Sequence, residues 1–224
     1  MFSTEDRARV AHAITAAEAQ TSGEIVCIVN ERVHHYSATG LTIAALLAFV
    51  LPLGAVVAGV DPSALLPGQD WSGGDPVVDM RRAIEAFAAI EVLIFALLAA
   101  LLVWTPAGSW LTPYRFKRDR VHAEALAQFR ARGIGDTRER TGVLIYVSTA
   151  DRIAEVVADE GIYAKVDRHH WRATVSALLA GIKSGTPAQG FVDAIVLAGA
   201  VLAEHFPQTP GDNPNELPDR LIVL

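Results

Sequence analysis

The stretch Gly142–Asp159, GVLIYVSTADRIAEVVAD, decides the fold. It holds two β-branched runs, Gly142–Ser148 and Ile153–Asp159, of the kind typical of buried strands. Only residues 149–152 separate them, and so short a connection requires an antiparallel hairpin. A third run of this kind, Glu24–Asn30 (EIVCIVN), lies far upstream. We expect it to pair in parallel with Gly142–Ser148, which predicts one small mixed sheet.

Four segments with helical spacing of apolar residues should flank this sheet. They are residues 3–20, 115–132, 171–182 and 187–204. The last segment is apolar, but Asp193 and Glu204 leave too short a run to cross a bilayer, so we expect a core helix. The tail, residues 207–224, should be extended, with its apolar end docked on the domain. These features predict an α/β domain.

Two strongly hydrophobic stretches interrupt that domain. The 224-residue chain is 51% hydrophobic, and its mean hydropathy of +0.30 is unusual for a soluble protein. Residues 39–60 carry no charge, and a helix of that length covers about 33 Å, enough for a hydrocarbon core. Residues 86–104 form a second run, broken only by Glu91. The sequence therefore predicts a transmembrane hairpin with a polar loop at 61–85.

The basic flanks of the hairpin predict its orientation. Positive charges concentrate on cytoplasmic segments, and Lys or Arg side chains are more frequent outside the hairpin than in its loop. They are Arg32, Arg115, Lys117, Arg118 and Arg120 outside, against Arg81 and Arg82 within. We expect both termini, with domain parts 1–38 and 105–206, to face the cytoplasm, and the loop to be extracytoplasmic. The expected location is a bacterial inner membrane.

Charge and cysteine content exclude several classes. A formal charge of -6 argues against a nucleic-acid binder. The single cysteine, Cys27, excludes an internal disulfide framework. Its distance from Arg32 is one residue short of a cysteine phosphatase loop, so we expect a buried small side chain. No Gly-Lys-Ser/Thr phosphate loop and no His-Glu-x-x-His zinc motif occurs.

Several ordered motifs resemble the TPM-domain family, in its bacterial form with an internal pair of membrane helices. They are TSGEIVCIVN (21–30), RTGVLIYVS (140–148), IAEVVADEGIYAKV (153–166) followed by Trp171, AEHFP (203–207) and NPNELPDR (213–220). The resemblance implies a Rossmann-like α/β domain with a small mixed sheet flanked by helices. Some relatives are described as acid phosphatases or calcium-binding proteins, among them thylakoid-lumen proteins linked to photosystem repair, and others as accessory subunits of membrane complexes. Secreted members commonly have a glycine-rich turn where Asp159–Gly161 stands here.

A group of acidic residues is the candidate metal site. If the strands pair as predicted, Asp159 and Glu160 emerge near Glu24, and Asp167 lies within reach at the next helix start. Carboxylates with backbone carbonyls suit a hard cation such as Ca²⁺ or Mg²⁺. The alternative is a solvated turn in which Gly161 supplies an unusual backbone angle and Asp167 caps a helix. Both interpretations stay open at this point.

Glu91 is the other unusual residue. A carboxyl group within a membrane helix is costly, and such groups usually serve a function. A proton relay or the pairing of helices would use it, whereas an interfacial position would leave it without a role. We expect a membrane-bound accessory or binding module whose partners are the bilayer and either another membrane protein or a second copy. The alternative is a metal-assisted, phosphatase-like hydrolase.

Overall fold

The computed structural model describes residues 2–32, 36–60, 76–105, 107–208 and 215–224. The helices are α1 (Thr4–Glu18), α2 (Ser37–Val57), α3 (Pro76–Trp104), α4 (Ala107–Leu111), α5 (Tyr114–Ala131), α6 (Glu160–Tyr163), α7 (Trp171–Lys183) and α8 (Pro187–His205). The strands are β1 (Glu24–Asn30), β2 (Gly142–Ser148), β3 (Ile153–Ala158) and β4 (Leu221–Val223). They divide into two compact units. The sheet unit is residues 1–33 with 114–224, and the helical unit is residues 34–113.

The sheet unit contains a four-stranded mixed sheet in the order β3-β2-β1-β4. β1 and β2 are parallel, with Glu24 opposite Gly142 and Asn30 opposite Ser148. β2 and β3 form the antiparallel hairpin. The predicted small mixed sheet is therefore confirmed, including the parallel pairing of two segments that lie far apart in the sequence.

The tail differs from the prediction. Its end does not merely dock on the domain, because Leu221–Val223 pairs in parallel with β1 as an edge strand. The N–H of Leu224 donates to the carbonyl of Val29 at 2.9 Å, and the N–H of Glu31 donates to the carbonyl of Leu224 at 3.3 Å. The free edge of β1 provides these hydrogen bonds, and a three-residue strand is too short to be recognised by its own pattern.

Each face of the sheet carries its own hydrophobic core. Side chains alternate between the faces of a strand, so Ile25, Cys27 and Val29 meet α1, α7 and α8, whereas Val26 and Ile28 meet α5. Cys27 is completely buried, and burial raises the pKa of its thiol well above the usual range. The prediction of a buried small side chain is confirmed.

The helix α8 belongs to the core of the sheet unit. It is long and apolar enough to cross a membrane, but one stripe of it is completely buried in the core that it shares with α7, α1 and the sheet. That stripe is Phe191, Ala194, Ile195, Ala198 and Leu202. The expected core helix is confirmed.

The helical unit consists of α2, α3 and the short α4. Gly40 near the start of α2 contacts Leu102 near the end of α3, and the last turns of α2 line a cleft with Phe87 and Ile90. The two long helices therefore pack antiparallel. The stripe of α2 that faces α3 is made of small or compact residues, namely Gly40, Ala44, Ala48 and Pro52.

The bounds of α3 differ from the predicted span. The helix begins at Pro76 and not at residue 86. The prediction missed its first turns because hydropathy detects only the hydrophobic part of a helix. Its first turns are polar and are supported by a pair between Arg81 Nε and Glu85 Oε1 at 2.8 Å. The predicted loop at 61–85 is thus helical from residue 76 onward, and its part at 61–75 lies outside the described residues.

Large apolar side chains cover the outer surfaces of α2 and α3. They include Leu46, Phe49 and Val57 on α2 and Val92, Leu93 and Leu97 on α3. Both helices are long and apolar enough to cross a bilayer, as Ser37–Val57 and Met80–Trp104. A water-soluble domain rarely exposes so large a contiguous apolar surface.

Candidate functional site

The candidate site lies at the edge of the sheet where β1 and β2 begin and β3 ends. Glu24 pairs with Gly142, and the N–H of Asp159 donates to the Gly142 carbonyl at 2.9 Å. Val26, Leu144 and Val157 belong to the α5 core, and Glu24, Gly142 and Asp159 each lie two positions along from them. By strand alternation these three residues share the α5 face of the sheet.

Gly142 separates the two acidic residues. A side chain on this glycine would collide with the carbonyl oxygen of Ile134, so the 3₁₀ turn Ile134–Asp136 rests on the sheet here. Glu24 and Asp159 are two strand spacings apart, about 10 Å between their backbones. The edge therefore brings both residues to one face with a turn between them.

Glu24 anchors the C-terminal segment. Its side chain is 2% exposed, and its two oxygens accept hydrogen bonds from the backbone N–H groups of Glu216, at 3.3 Å, and Leu217, at 3.2 Å. Burial raises the pKa of the Glu24 carboxyl, and these two hydrogen bonds oppose that shift. Glu216 in turn accepts from the N–H of Arg138 at 3.1 Å. The contacts give Glu24 a structural role in holding residues 215–224.

Asp159 caps the short helix α6. Oδ1 accepts from the N–H of Glu160 at 2.6 Å. The residue is only 8% exposed, and its Oδ2 is buried without a hydrogen-bond partner. A side chain on Gly135 would lie 3.7 Å from that oxygen. Buried carboxylate oxygens are normally satisfied, so Oδ2 is an unmet hydrogen-bond acceptor at this edge.

The two other predicted ligands lie apart from this pair. The Glu160 side chain is 89% exposed and faces Arg140 at 3.8 Å. Asp167 is also exposed and caps the turn at residues 168–170 by accepting from the N–H of His169 at 3.0 Å. That hydrogen bond, together with one from the His169 side chain, lowers the pKa of Asp167.

The predicted unusual backbone angle at Gly161 was wrong. Gly161 lies inside α6 and is not among the residues with positive φ. Glycine is required there because any side chain would collide with the backbone carbonyl of Arg140. The turn thus depends on a close approach of two backbone segments, which a single sequence does not reveal.

Across the part of the chain that the structure describes, no three His, Cys, Asp or Glu side chains are grouped so that they could hold a metal ion. Of the four predicted ligands, the sheet brings Glu24 and Asp159 to one edge and leaves Glu160 and Asp167 on exposed surfaces. The metal site therefore stays a prediction, with two of its four predicted ligands at one edge.

Glu18 was missed at the sequence level. It is buried at the end of α1 and accepts from the N–H of Ile25 at 2.7 Å. Burial, as the largest cause, raises its pKa to about 9, and the neighbouring carboxyl groups of Glu24 and Asp219 act in the same direction. The available signal was its position, since Glu18 follows Val10 and Ile14 on the apolar stripe of α1.

Asp219 connects this buried acid to the C-terminal segment. It accepts from the hydroxyl of Thr15 at 2.6 Å and from the side-chain amide of Asn215 at 2.6 Å. Asp219 thus ties residues 215–220 to α1, while Glu24 ties them to the start of the sheet. These acidic residues therefore hold the chain together through hydrogen bonds, whereas Asp159 Oδ2 is buried without a partner among the described residues.

Comparison with known proteins identifies the domain. Residues 112–201 match the TPM domain family, and no curated protein matches the chain. The fold is similar to the NMR structure of the BA42 protein from the psychrophilic bacterium Bizionia argentinensis, with a TM-score of 0.57 and 21% identity over 100% of this chain and 96% of that one. The resemblance to this family is thereby confirmed over residues 112–201, which include the motifs of β2, β3 and the turn after β3.

Proposed function

We propose that the chain is an integral membrane protein that holds its TPM domain at the membrane surface as an accessory or binding module. The exposed apolar surface of α2 and α3 carries this proposal. Val57 is 82% exposed and Val92 is 67% exposed, and a hydrocarbon environment removes the cost of leaving such side chains uncovered. Two antiparallel helices of this length form the simplest membrane anchor.

The topology of the chain supports this assignment. The sheet unit is built from segments before and after the helical unit, and β1 pairs with β2. Two spans return the chain to the side from which it started, so both segments can reach the same compartment. The basic residues at 115–120 outside the spans favour the cytoplasm for that compartment.

The contacts of the acidic residues favour a binding role over hydrolysis. Glu24 is engaged by two backbone N–H groups, and Asp167 caps a turn. General acid or base catalysis needs a carboxyl group that can reach a substrate, and these two are committed to holding the fold. The exposed parts of the domain are then available to a partner protein in or at the membrane.

Carbonate extraction and cysteine labelling test the anchor and its orientation. The chain should remain in the membrane pellet at high pH. Gly73→Cys, within the loop predicted from the sequence, should react with an impermeant maleimide in intact cells. The matched variant Ala150→Cys, in the exposed β2–β3 turn, should react only after permeabilisation. Cys27 is buried and gives no background. Release by carbonate, or labelling of Ala150→Cys in intact cells, would contradict the proposal.

A second candidate is metal-assisted hydrolysis of phosphate esters, and one observation favours it. Asp159 Oδ2 is buried without a partner, and a hard cation would satisfy it together with backbone carbonyls and waters. Residues of the Ile134–Asp136 turn would supply the carbonyls. A bound Ca²⁺ or Mg²⁺ would supply Lewis-acid activation of a phosphoryl group.

Calorimetric titration of the purified chain with Ca²⁺ distinguishes the two candidates. Saturable binding that Asp159→Asn abolishes supports the metal site. Glu160→Gln is the matched control, because that side chain is exposed on the same turn and should leave binding unchanged. Absence of binding to the unsubstituted chain, or binding that survives Asp159→Asn, removes the second candidate.

A further inference from the structure

Unmet hydrogen-bonding groups occur in both units of the chain. In the helical unit, Oε1 of Glu91 on α3 is buried without a partner among the described residues, and its burial keeps other molecules away from it. In the sheet unit, the unmet groups lie on the outer edge of β4, where another molecule can reach them.

The outer edge of β4 has no neighbouring strand, because β4 is the last strand in the order β3-β2-β1-β4. In parallel pairing, every second residue directs both its N–H and its carbonyl to the neighbouring strand, and the residues between direct theirs to the other side. Leu224 donates to the carbonyl of Val29 and accepts from the N–H of Glu31, both on the β1 side. By alternation, Leu221 and Val223 direct their main-chain groups to the open side.

These outward main-chain groups have no partner among the described residues. No hydrogen bond outside the strand ladder joins Leu221 or Val223 to another described residue. A row of unpaired N–H and carbonyl groups is a template for a further strand. The β4 edge therefore offers main-chain pairing to an extended segment.

A cleft of about 320 Å³ runs along this edge. It is lined by Arg7 of α1 and by Arg220, Leu221 and Ile222. The side chain of Leu221 belongs to the core on the α1 face of the sheet, whereas that of Ile222 packs against the core on the α5 face. Because both residues line one cleft although their side chains lie on opposite faces, the cleft follows the edge of the strand and not one face of the sheet.

The cleft is basic. Arg7 and Arg220 are exposed, and neither side chain forms an ion pair with a described residue. The whole chain has a formal net charge of -6, so two uncompensated arginines at one cleft differ from the acidic character of the protein. Guanidinium groups form charge-assisted hydrogen bonds with carboxylates. The side chains beside the β4 edge are therefore complementary to acidic side chains.

The same two arginines disfavour a second copy of the chain as the occupant of the edge. Pairing of two β4 strands would bring Arg7 and Arg220 of both copies to one seam, and like charges at an interface oppose association. Basic side chains at natural sheet edges prevent such self-pairing. An acidic segment removes this repulsion and satisfies the main-chain groups at the same time.

We propose that the β4 edge binds an extended acidic segment of a partner protein by strand addition. The main-chain groups of Leu221 and Val223 pair with this segment, and the guanidinium groups of Arg7 and Arg220 bind its carboxylates. Strand addition draws its affinity from main-chain hydrogen bonds and its selectivity from the side chains beside the edge. The inference rests on the proposed role of the domain as a binding module, and it does not depend on the membrane anchor.

Fluorescence anisotropy with a labelled peptide tests the charge complementarity. The probe is a short peptide of alternating valine and glutamate, added to the purified full chain in neutral detergent at low salt. Binding should be saturable, and Arg7→Gln and Arg220→Gln should each weaken it about 2- to 5-fold. As the matched control, Arg172→Gln removes an exposed arginine of α7, a helix that contacts β3 at the opposite edge, and should leave the affinity unchanged. Absence of saturable binding, or equal effects of the three substitutions, would overturn the proposal.

N-methylation of the same peptide tests strand addition itself. Two versions carry N-methyl groups on alternate residues, one version in each phase, so their charges are identical. A strand that is paired on one side uses the N–H groups of only one phase. One version should therefore bind about 10-fold more weakly than the other, or weaker still. Equal affinities would show that charge alone holds the peptide and would refute strand addition.

Competition experiments identify the other occupants. Displacement of the peptide by micellar phosphatidylglycerol, but not by phosphatidylcholine, would assign the two arginines to lipid headgroups. A dimer of the chain that the peptide dissociates, measured by sedimentation, would assign the edge to a second copy. Either result would overturn the proposal.

Carbonate extraction separates this proposal from the proposed membrane anchor. If the chain stays in the membrane pellet at high pH but does not bind the peptide, the edge proposal is refuted and the membrane-bound module stands. If carbonate extracts a chain that binds the peptide, the anchor is refuted and the edge proposal stands.

Discussion

Replacement of Glu18 with glutamine should remove a pH dependence of stability. Burial raises the pKa of Glu18 to about 9 in the folded chain, from an ordinary value of 4.5. Between these values the folded chain keeps a proton that the unfolded chain has released. The free energy of unfolding therefore falls as pH rises through this window, by about 1.4 kcal/mol per pH unit. The loss ends above about pH 9, where the folded state also ionises.

The variant Glu18→Gln isolates this contribution. The amide oxygen can still accept from the N–H of Ile25, which lies at 2.7 Å from the carboxyl in the native chain, and the amide cannot ionise. Relative to the native chain, the variant should gain about 4 kcal/mol between about pH 5 and pH 8, which is three pH units at that slope. Near pH 4.5 the two proteins should have similar stability.

Urea unfolding of the full chain in detergent, followed by circular dichroism across this pH range, measures the difference. Glu5→Gln, on the exposed side of the same helix, controls for the loss of one acidic group from α1. If the difference in unfolding free energy between Glu18→Gln and the native chain is the same at both ends of the range, Glu18 is ionised in the folded state. The reasoning from its burial would then be refuted.

Three further substitutions test the packing of the sheet unit. Glu24→Ala leaves the N–H groups of Glu216 and Leu217 without their acceptor; we expect a loss of about 1–3 kcal/mol and faster hydrogen exchange in β4, and unchanged exchange there would contradict the anchoring role. Gly142→Ala forces a methyl group against the Ile134 carbonyl and should cost about 1–3 kcal/mol in thermal unfolding; a neutral effect would show that the 3₁₀ turn does not rest on the sheet. Leu202→Ala, at a completely buried position of α8, should lower the free energy of unfolding by about 2–5 kcal/mol. Val196→Ala, 60% exposed on the same helix, should change it by no more than about 0.5 kcal/mol. Equal effects of the two substitutions on urea unfolding would contradict a core role for α8.

The strands that make the sheet were predictable because their signals are local and strong. Glu24–Asn30 and Gly142–Ser148 are uninterrupted β-branched runs, and the short connection after Ser148 permits only a hairpin. β4 escaped prediction because a three-residue strand carries no period of its own and exists only by pairing with β1. Its place in the sheet is a tertiary property.

The site was less predictable than the fold. The predicted strand pairing correctly placed Asp159 and Glu24 at one edge. The turn that separates them depends on Gly142 meeting the Ile134 carbonyl, a contact between distant segments. Glu18 carried a visible signal, an acid on an apolar stripe, yet its partners come from β1 and the tail. Residue types and spacing indicate candidates, and only packing decides which carboxyl groups remain free.

The long separation between β1 and both of its neighbours has a consequence for biogenesis. Glu24 pairs with Gly142, 118 residues later (142 − 24), and Cys27 pairs with Leu221, 194 residues later (221 − 27). During synthesis β1 is complete long before either partner leaves the ribosome. Until then it remains an unpaired, aggregation-prone strand. On the proposed membrane topology, insertion of α2 and α3 would occupy that interval. The nascent chain would thus depend on chaperone protection of its first segment. A delay in elongation after α3 should increase aggregation.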